Sequence, residues 1–179
     1  MIVLASASPQ RRAILEQLGL EFRVQVPDVE EVASGEPRAL VIENALRKAR
    51  SVEGETVLGV DTVVVAGDGA ILGKPTDEKQ ARTYLERLAG TEHAVWSGLA
   101  LLNGGRERTA AAVTLVSFRR LEPADLDWYL ASSEWRGRAG GYAIQGRGAA
   151  LVKRIEGDYL NVVGLPVAEL VRLAPDLLR

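Results

Sequence analysis

The chain has 179 residues, of which 47% are hydrophobic and 26% are charged, and its formal net charge is −2. This apolar content and the small net charge exclude an intrinsically disordered chain. No apolar run approaches the roughly 20 residues that a membrane-spanning helix needs, and the N-terminus lacks the basic stretch of a secretory signal. The composition therefore predicts a single domain over residues 1–179, located in the cytoplasm and not at a membrane.

The counts of cysteine, histidine and charged residues narrow the possible chemistry further. The chain has no cysteine, which excludes a thiol nucleophile and a thiolate zinc site, and its one histidine, His93, excludes a histidine-cluster metal site. Any metal would have to be a hard cation held by carboxylates, phosphates and water. The balance of 22 basic and 24 acidic residues argues against nucleic acid as a partner.

Taken in chain order, apolar periodicity and turn residues predict strands that alternate with helices. The predicted strands cover residues 2–5, 22–26, 56–66 with a turn near 59–62, 71–72, 95–102 and 110–118. The predicted helices cover residues 9–18, 36–50, 77–88, 123–131, 149–155 and 166–173, and a glycine-rich loop covers 137–148. This order predicts an α/β protein with a mixed β-sheet flanked by helices.

The segment between the first strand and the first helix has the composition of an anion site. Ser8 precedes Pro9, and Arg11 and Arg12 follow within the first helical turn. Free N–H groups at a helix start attract anions, whereas arginines there oppose the helix dipole, so an anionic ligand would explain them. The alternative is a capping serine followed by two solvated arginines.

An aspartate, Asp61, lies within a valine-rich run and is followed by Thr62. A buried carboxylate is costly unless it is paired or binds a metal, and such a group can serve as a general base towards water. The alternative is a turn aspartate that hydrogen-bonds to the local backbone.

Two further segments carry charges suited to phosphate and metal binding. Lys74 stands between Gly73 and Pro75, which indicates a lysine held on a stiff loop, although the spacing is not that of a P-loop. Glu30 and Glu31 precede a helix that carries Lys48, and such carboxylates suit Mg²⁺ or Mn²⁺ bound together with substrate phosphates. The alternatives are a solvated lysine and a solvated acidic loop.

The glycine-rich loop contains one residue suited to reading a nucleobase. Gln145 lies between Gly141 and Gly146, and its amide offers both a donor and an acceptor. It could therefore pair with the N3–H and O4 of uracil or thymine. The alternative is a glycine-rich turn with an exposed glutamine.

Together and in this order, the motifs resemble the Maf family of nucleoside triphosphate pyrophosphatases over the whole chain. The matching segments are residues 6–12, 29–31, 45–50, 59–62, 73–77, 93–98 and 139–166. The sequence of the last segment is more similar to that of the family branch that hydrolyses dTTP and UTP than to that of the branch that acts on 7-methyl-GTP. The resemblance implies an ITPase-like or Maf-like fold with two lobes around a central cleft, and a homodimer as a possible assembly.

The resemblance also implies a role for each matching residue. It makes Asp61 catalytic, assisted by Lys48 and Lys74, with Glu31 and Asp61 as ligands of a divalent cation (Mg²⁺ or Mn²⁺). The implied substrate-binding residues are Ser8, Gln10, Arg11, Arg12, Thr62 and Gln145. Family members usually have arginine where this chain has Gln10, which removes a charge and a fork of donors.

Three readings of function follow. The first is hydrolysis of dTTP and UTP, or of modified pyrimidine triphosphates, to the monophosphate and pyrophosphate, which would cleanse the nucleotide pool. The second is the same reaction on other or modified triphosphates such as 7-methyl-GTP. The third is a nucleotide-binding regulator of septum formation.

Overall fold

The computed structural model describes residues 1–178, and within that range seven strands form one mixed β-sheet. The strands are β1 (Ile2–Ala5), β2 (Phe22–Gln25), β3 (Thr56–Val65), β4 (Ile71–Leu72), β5 (Glu92–Asn103), β6 (Arg106–Phe118) and β7 (Val152–Glu156). Their order is β2-β1-β3-β5-β6-β7, with β4 paired to β3. Strand β1 is parallel to β2 and β3, while the β3–β4 and β6–β7 pairs are antiparallel.

The helices connect or follow these strands. They are α1 (Pro9–Gln17), α2 (Pro37–Arg50), α3 (Glu78–Leu88), α4 (Pro123–Leu130), α5 (Tyr159–Val163) and α6 (Val167–Leu173). None of the helices within residues 1–178 has the length and apolar character needed to cross a bilayer. The predicted α/β class with a mixed, helix-flanked sheet is confirmed.

Capping residues explain where the main helices begin. Ser8, Glu36 and Asp77 each accept a backbone N–H from the first turn of the helix that follows, α1, α2 and α3 respectively. Such caps satisfy donors that have no partner within the helix. The predicted helix starts at these positions are confirmed.

Two predicted elements differ from the structure. The turn expected near residues 59–62 is wrong, because β3 runs unbroken through Thr56–Val65. Most of this strand is buried, and a strand covered on both faces reads as a continuous apolar run. The helix expected over 149–155 is also wrong: a 3-10 turn ends at Leu151, and Val152–Glu156 pairs with β6 as β7.

The chain divides into two compact units. The first unit comprises Met1–Thr62, Ser97–Ala112 and the residues from Gly164 onward, and the second comprises Val63–Trp96 and Val113–Val163. The second unit has a core drawn from β6, α3, α4 and the loop that follows α4. Its buried members include Leu85, Leu88, Val116, Phe118, Leu126, Tyr129, Trp135 and Tyr142. The predicted single domain and central cleft stay predictions.

In the first unit, helix α2 packs on the sheet through small residues. Ala45 and Ala49 are fully buried against Val3 and Val57. A Cβ on Gly59 of β3 would stand 2.1 Å from the carbonyl oxygen of Ala45, so only glycine permits this approach. Residues two apart on a strand share a face, and Asp61 therefore also faces α2.

Candidate active site

The centre of the site is a buried carboxylate with a partner on each oxygen. Asp61 in β3 is 3% exposed. Its Oδ1 lies 2.6 Å from Lys48 Nζ, and its Oδ2 accepts a hydrogen bond of 3.1 Å from Asn44 Nδ2. Asn44 and Lys48 are four residues apart on α2 and therefore lie on one helical face. The close packing at Gly59 brings that face against the strand.

Lys48 also connects the buried carboxylate to an exposed one. Its Nζ lies 2.7 Å from Glu31 Oε1, and the side chains of Lys48 and Glu31 are 8% and 46% exposed. One ammonium group thus stands between two carboxylates, and these two oxygens lie within the reach of a single cation. The predicted grouping of Glu31, Lys48 and Asp61 is found in the first unit, and the ion pairs of Lys48 are with Glu31 and Asp61 and not with the neighbouring Glu30.

Asn44 holds the segment that carries Glu31. Its Oδ1 accepts a hydrogen bond of 2.8 Å from the N–H of Val32, and its Nδ2 donates one of 3.0 Å to the Val32 carbonyl. The segment has no helix or strand of its own, so this side chain supplies the backbone partners that regular structure would otherwise give. A single residue of α2 therefore orders both Asp61 and the loop beside Glu31.

The two arginines of the first helix have different surroundings. Arg11 is buried, and its guanidinium donates to Ser6 Oγ, the carbonyls of Val60 and Gly164, and Thr62 Oγ1, at 2.9 to 3.0 Å. Burial lowers the pKa of Arg11, while the nearby carboxylates of Asp61 and Glu31 oppose that change. Most of its donors therefore serve the protein itself.

Arg12 points to solvent instead. Its side chain is 63% exposed and pairs with Glu16 one turn later at 2.7 Å. An exposed pair of this kind contributes little to stability. The contact with Glu16 can therefore be lost at small cost, whereas the contacts of Arg11 are buried. The substrate-binding roles of Arg11 and Arg12 stay predictions.

The remaining predicted residues of the first unit surround the start of α1. Ser8 Oγ accepts the N–H of Arg11 at 3.4 Å and donates to Gln10 Oε1 at 3.0 Å, which orients the half-buried Gln10 amide. Thr62 Oγ1 lies 2.9 Å from Ser97 Oγ in addition to its contact with Arg11. The structure thus brings together seven of the predicted residues around α1 and β3: Ser8, Gln10, Arg11, Glu31, Lys48, Asp61 and Thr62.

Lys74 and Gln145 belong to the second unit, and both are exposed there. Lys74 follows β4, and the carbonyl of the preceding Gly73 accepts a hydrogen bond of 3.0 Å from the N–H of Gly140. Gln145 follows three buried residues, Tyr142 to Ile144. The site roles of Lys74 and Gln145 stay predictions.

The histidine has a structural place in the second unit. His93 is 2% exposed, and its Nε2 lies 2.8 Å from the hydroxyl of Tyr142. Its ring also meets Phe118 edge-on at 5.0 Å between centroids. Burial lowers the pKa of His93 to about 4, so the ring is neutral at pH 7.

The carboxylates set limits on how a metal could be held. Among residues 1–178 no group of three or more histidine, cysteine or acidic side chains is arranged to hold a metal ion. Asp61 and Glu31 form a pair that already faces a cation, the Lys48 ammonium. Mg²⁺ commonly takes one or two carboxylates and completes its shell with substrate phosphates and water, and this donor set fits that pattern.

Comparison with known proteins decides the family. The model of the Maf-like protein family matches residues 1–177. The chain belongs to the Maf family. The resemblance inferred from the motifs is therefore confirmed.

Relatives of this Maf protein carry names that state a reaction. A protein of Symbiobacterium thermophilum named dTTP/UTP pyrophosphatase is 46% identical over 178 residues, which cover 96% of this chain and 91% of the relative. A protein of the same name from Anaeromyxobacter dehalogenans is 47% identical over 96% of this chain and 91% of its own. One from Thermus thermophilus is 44% identical over 96% and 92%.

The solved structure of the Staphylococcus aureus Ham1 protein aligns with 65% of this chain and with 71% of the Ham1 chain. The sequence identity is 13% and the TM-score is 0.47. A likeness of this size carries no argument about function. The fold assignment rests on the sheet and helices described above.

The sequence reading of this Maf protein missed Asn44. The signal was available, because Asn44 and Lys48 stand at a four-residue spacing on a predicted helix. An amide one turn from a predicted active-site lysine, on a mostly apolar helix face, indicates a buried polar network.

Proposed function

We propose that this chain is a nucleoside triphosphate pyrophosphatase that hydrolyses dTTP and UTP to the monophosphate and pyrophosphate. The observation that carries the proposal is the Lys48 ammonium held between the carboxylates of Asp61 and Glu31. The names and near full-length similarity of the relatives support it.

In the proposed reaction a water oxygen attacks the α-phosphorus, and the bond from that phosphorus to the α–β bridging oxygen breaks. The electron pair leaves with pyrophosphate, and the proton lost by water must be accepted nearby. Asp61 is the proposed acceptor, or it orients the water. In the structure both of its oxygens are hydrogen-bonded, to Lys48 and to Asn44.

Binding of a triphosphate would free Asp61 Oδ1 to contact water. The triphosphate brings several negative charges, and these compete with Asp61 for the Lys48 ammonium. Once Lys48 turns to the phosphates, Asp61 Oδ1 can accept a hydrogen bond from water, while Asn44 continues to hold Oδ2. Enzymes catalyse phosphoryl transfer mainly by positioning the reactants and by stabilising the charge of the transition state.

We propose Glu31 and Asp61 as the residues that would hold a divalent cation, Mg²⁺ or Mn²⁺. When bound, such an ion would offset negative charge on the phosphate oxygens. Lys48, Arg12 and Lys74 are the proposed phosphate contacts, and Ser8, Gln10, Thr62 and Gln145 are proposed to contact the remainder of the substrate. Arg11 acts by holding Thr62 and the backbone beside Asp61.

A substrate panel tests the proposal. Initial rates of pyrophosphate release are measured on dTTP, UTP, CTP and 7-methyl-GTP, with Mg²⁺ or Mn²⁺ and with chelator. We expect dTTP and UTP to give the highest kcat/KM and chelator to abolish turnover. Preference for 7-methyl-GTP would contradict the substrate assignment, and nucleotide binding without turnover would instead support a non-catalytic regulator.

We also propose a cytoplasmic location and a homodimer. Cell fractionation tests the first, and light scattering of the purified protein tests the second. Recovery in the membrane fraction, or a mass near the 19.3 kDa of one chain, would contradict them.

A further inference from the structure

In the second unit, the backbone around Gln145 is fixed on both sides of the exposed side chain. Tyr142, Ala143 and Ile144 are each at most 6% exposed. The N–H of Gly146 donates to the carbonyl of Ala143 at 3.1 Å, which closes a turn with Gln145 at its apex. The turn ends where a 3-10 helix, Arg147–Leu151, begins, so the N–H groups of Ala143 and Arg147 have no partner within a helix or strand and need one from elsewhere.

A buried tyrosine supplies the first partner. The hydroxyl of Tyr129, on α4, accepts the N–H of Ala143 at 2.9 Å. Tyr129 is fully buried. The backbone two residues before Gln145 is therefore attached to the rigid core of the second unit.

A carboxylate supplies the second partner. Glu134 Oε2 accepts the N–H of Arg147 at 2.7 Å. A Cβ on Gly146 would stand 2.3 Å from the same oxygen, so the carboxylate packs directly on the backbone that follows Gln145. A hydrogen bond to an ionised acceptor is about twice as strong as one between neutral groups.

The carboxylate is itself positioned by α4. The N–H of Glu134 donates to Ser132 Oγ at 3.1 Å, and Ser132 Oγ donates to the Tyr129 carbonyl at 2.6 Å. Helix α4 and the residues just after it thus hold the backbone two residues before and two residues after Gln145.

We propose that Glu134 is a positioning residue that sets the orientation of the Gln145 amide and thereby the discrimination among nucleobases. This inference rests on the proposed function, in which Gln145 reads the base. A preordered amide contacts its partner without the entropy loss of ordering a loop on binding. Loss of the Glu134 acceptor would free that loop and raise KM for the preferred base more than it lowers kcat.

The test compares Glu134→Ala, Glu134→Gln and Gln145→Ala with Glu86→Ala, a control at an exposed position of α3. Two quantities are measured on each protein: the hydrogen-exchange rate of the Arg147 amide, and the ratio of kcat/KM for dTTP to that for CTP. We expect Glu134→Ala to raise the exchange rate about tenfold or more, as loss of one charge-assisted hydrogen bond allows. It should also lower the ratio several-fold, mainly through KM.

The conservative variant separates positioning from folding. Glu134→Gln retains an oxygen that can accept the Arg147 N–H. Its Arg147 exchange rate and its ratio of kcat/KM should therefore both be close to those of the parent protein. If Glu134→Ala does not fold, Arg147→Pro removes the same N–H with Glu134 intact, and Arg147→Ala controls for the lost side chain. The proline variant should then lower the ratio and the alanine variant should not.

The outcomes distinguish this inference from the function on which it rests. If Gln145→Ala lowers the ratio but Glu134→Ala leaves it unchanged, the positioning role is overturned and the proposed function stands. An unchanged Arg147 exchange rate in Glu134→Ala overturns the positioning role as well. If Gln145→Ala leaves the ratio unchanged, base reading by Gln145 is wrong, and the role of Glu134 falls with it.

Discussion

Lys48 Nζ lies 2.6 Å from Asp61 Oδ1, and each side chain is less than a tenth exposed. Without Lys48, the buried Asp61 carboxylate would keep the hydrogen bond from the neutral Asn44 amide but would lose its ion-pair partner, and a buried charge without an opposite charge is strongly destabilising. The contact between Lys48 and Asp61 therefore links the stability of the first unit to the proposed reaction.

Replacing Asp61 with asparagine should remove most of the hydrolysis while substrate binding survives. Asparagine keeps the size of the side chain but cannot accept a proton from water. General base catalysis contributes roughly 10²- to 10⁴-fold, and we expect kcat to fall by that amount. Titration calorimetry with a non-hydrolysable triphosphate should still show binding, because the proposed phosphate contacts Lys48, Arg12 and Lys74 are unchanged. Near-normal turnover of the purified variant would refute the role of Asp61.

Replacing Lys48 with methionine should destabilise the protein by about 3 to 5 kcal/mol at neutral pH, because the Asp61 charge stays buried without its ion-pair partner. Urea unfolding at pH 7 measures the loss. The double variant Lys48→Met with Asp61→Asn should recover most of it, since it leaves no buried unpaired charge and the Glu31 carboxylate is exposed to water. Additive effects of the two substitutions would show that the pair is not coupled.

The two neighbouring arginines should separate into a structural and a substrate-binding residue. Arg11→Lys should lower the free energy of unfolding by about 2 kcal/mol or more, because an ammonium cannot reproduce the spread of donors that a guanidinium provides. Arg12→Ala should change stability by less than about 1 kcal/mol and instead raise KM for every triphosphate. The reverse pattern, with Arg12→Ala unstable and Arg11→Lys normal, would contradict this division.

Replacing Lys74 with alanine should lower kcat/KM to a similar extent on dTTP, UTP and CTP. A phosphate contact does not depend on the base, and a charged hydrogen bond of about 1.5 to 3 kcal/mol corresponds to roughly a 10- to 100-fold effect. Lys79→Ala, at another exposed lysine of the second unit, is the matched control. A changed ranking of the three substrates would show that Lys74 acts on something other than phosphate.

Stability should decrease as the pH falls, through His93. Its pKa is about 4 in the folded protein and about 6.5 in an unfolded chain. Between pH 6.5 and pH 4 the histidine is protonated in the unfolded chain but neutral in the folded chain. The free energy of unfolding is therefore highest above pH 6.5 and falls progressively as the pH is lowered to 4. The free energy of unfolding should fall by about 3 kcal/mol in total over this range.

Urea unfolding at pH 7, 6, 5 and 4.5 checks this, with His93→Gln as the comparison. Glutamine does not titrate and can still contact the hydroxyl of Tyr142. The free energy of unfolding of the parent protein should decrease relative to that of the variant as the pH falls. A constant difference between the two would mean that His93 does not account for the pH dependence.

The fold was predictable wherever local signals and tertiary packing agree. The start of α1 shows this: a serine, a proline and a helical apolar period all indicate the same boundary, and Ser8 caps the helix. At Val152–Glu156 they disagree. The spacing of Val152 and Ile155 also suits a helix, and only the presence of β6, which this segment pairs with, selects the strand.

The candidate site was predictable in its charges but not in its hydrogen bonds. Glu31, Lys48 and Asp61 are far apart in sequence, and their family motifs identified them. That most of the Arg11 donors are occupied by backbone and hydroxyl oxygens depends on Val60 and Gly164 coming close together in space. Sequence spacing carries no information about such contacts.

The absence of a side chain at Gly59 has a practical consequence for protein engineering. Exchanging glycine for alanine is a common way to stiffen an unfolded chain and raise the melting temperature. At this position the added methyl group would meet the Ala45 carbonyl and push α2 outward, carrying both hydrogen-bonding partners away from the aspartate. A thermostabilisation programme should therefore leave this glycine untouched, because any gain in rigidity would come with the loss of the proposed active site.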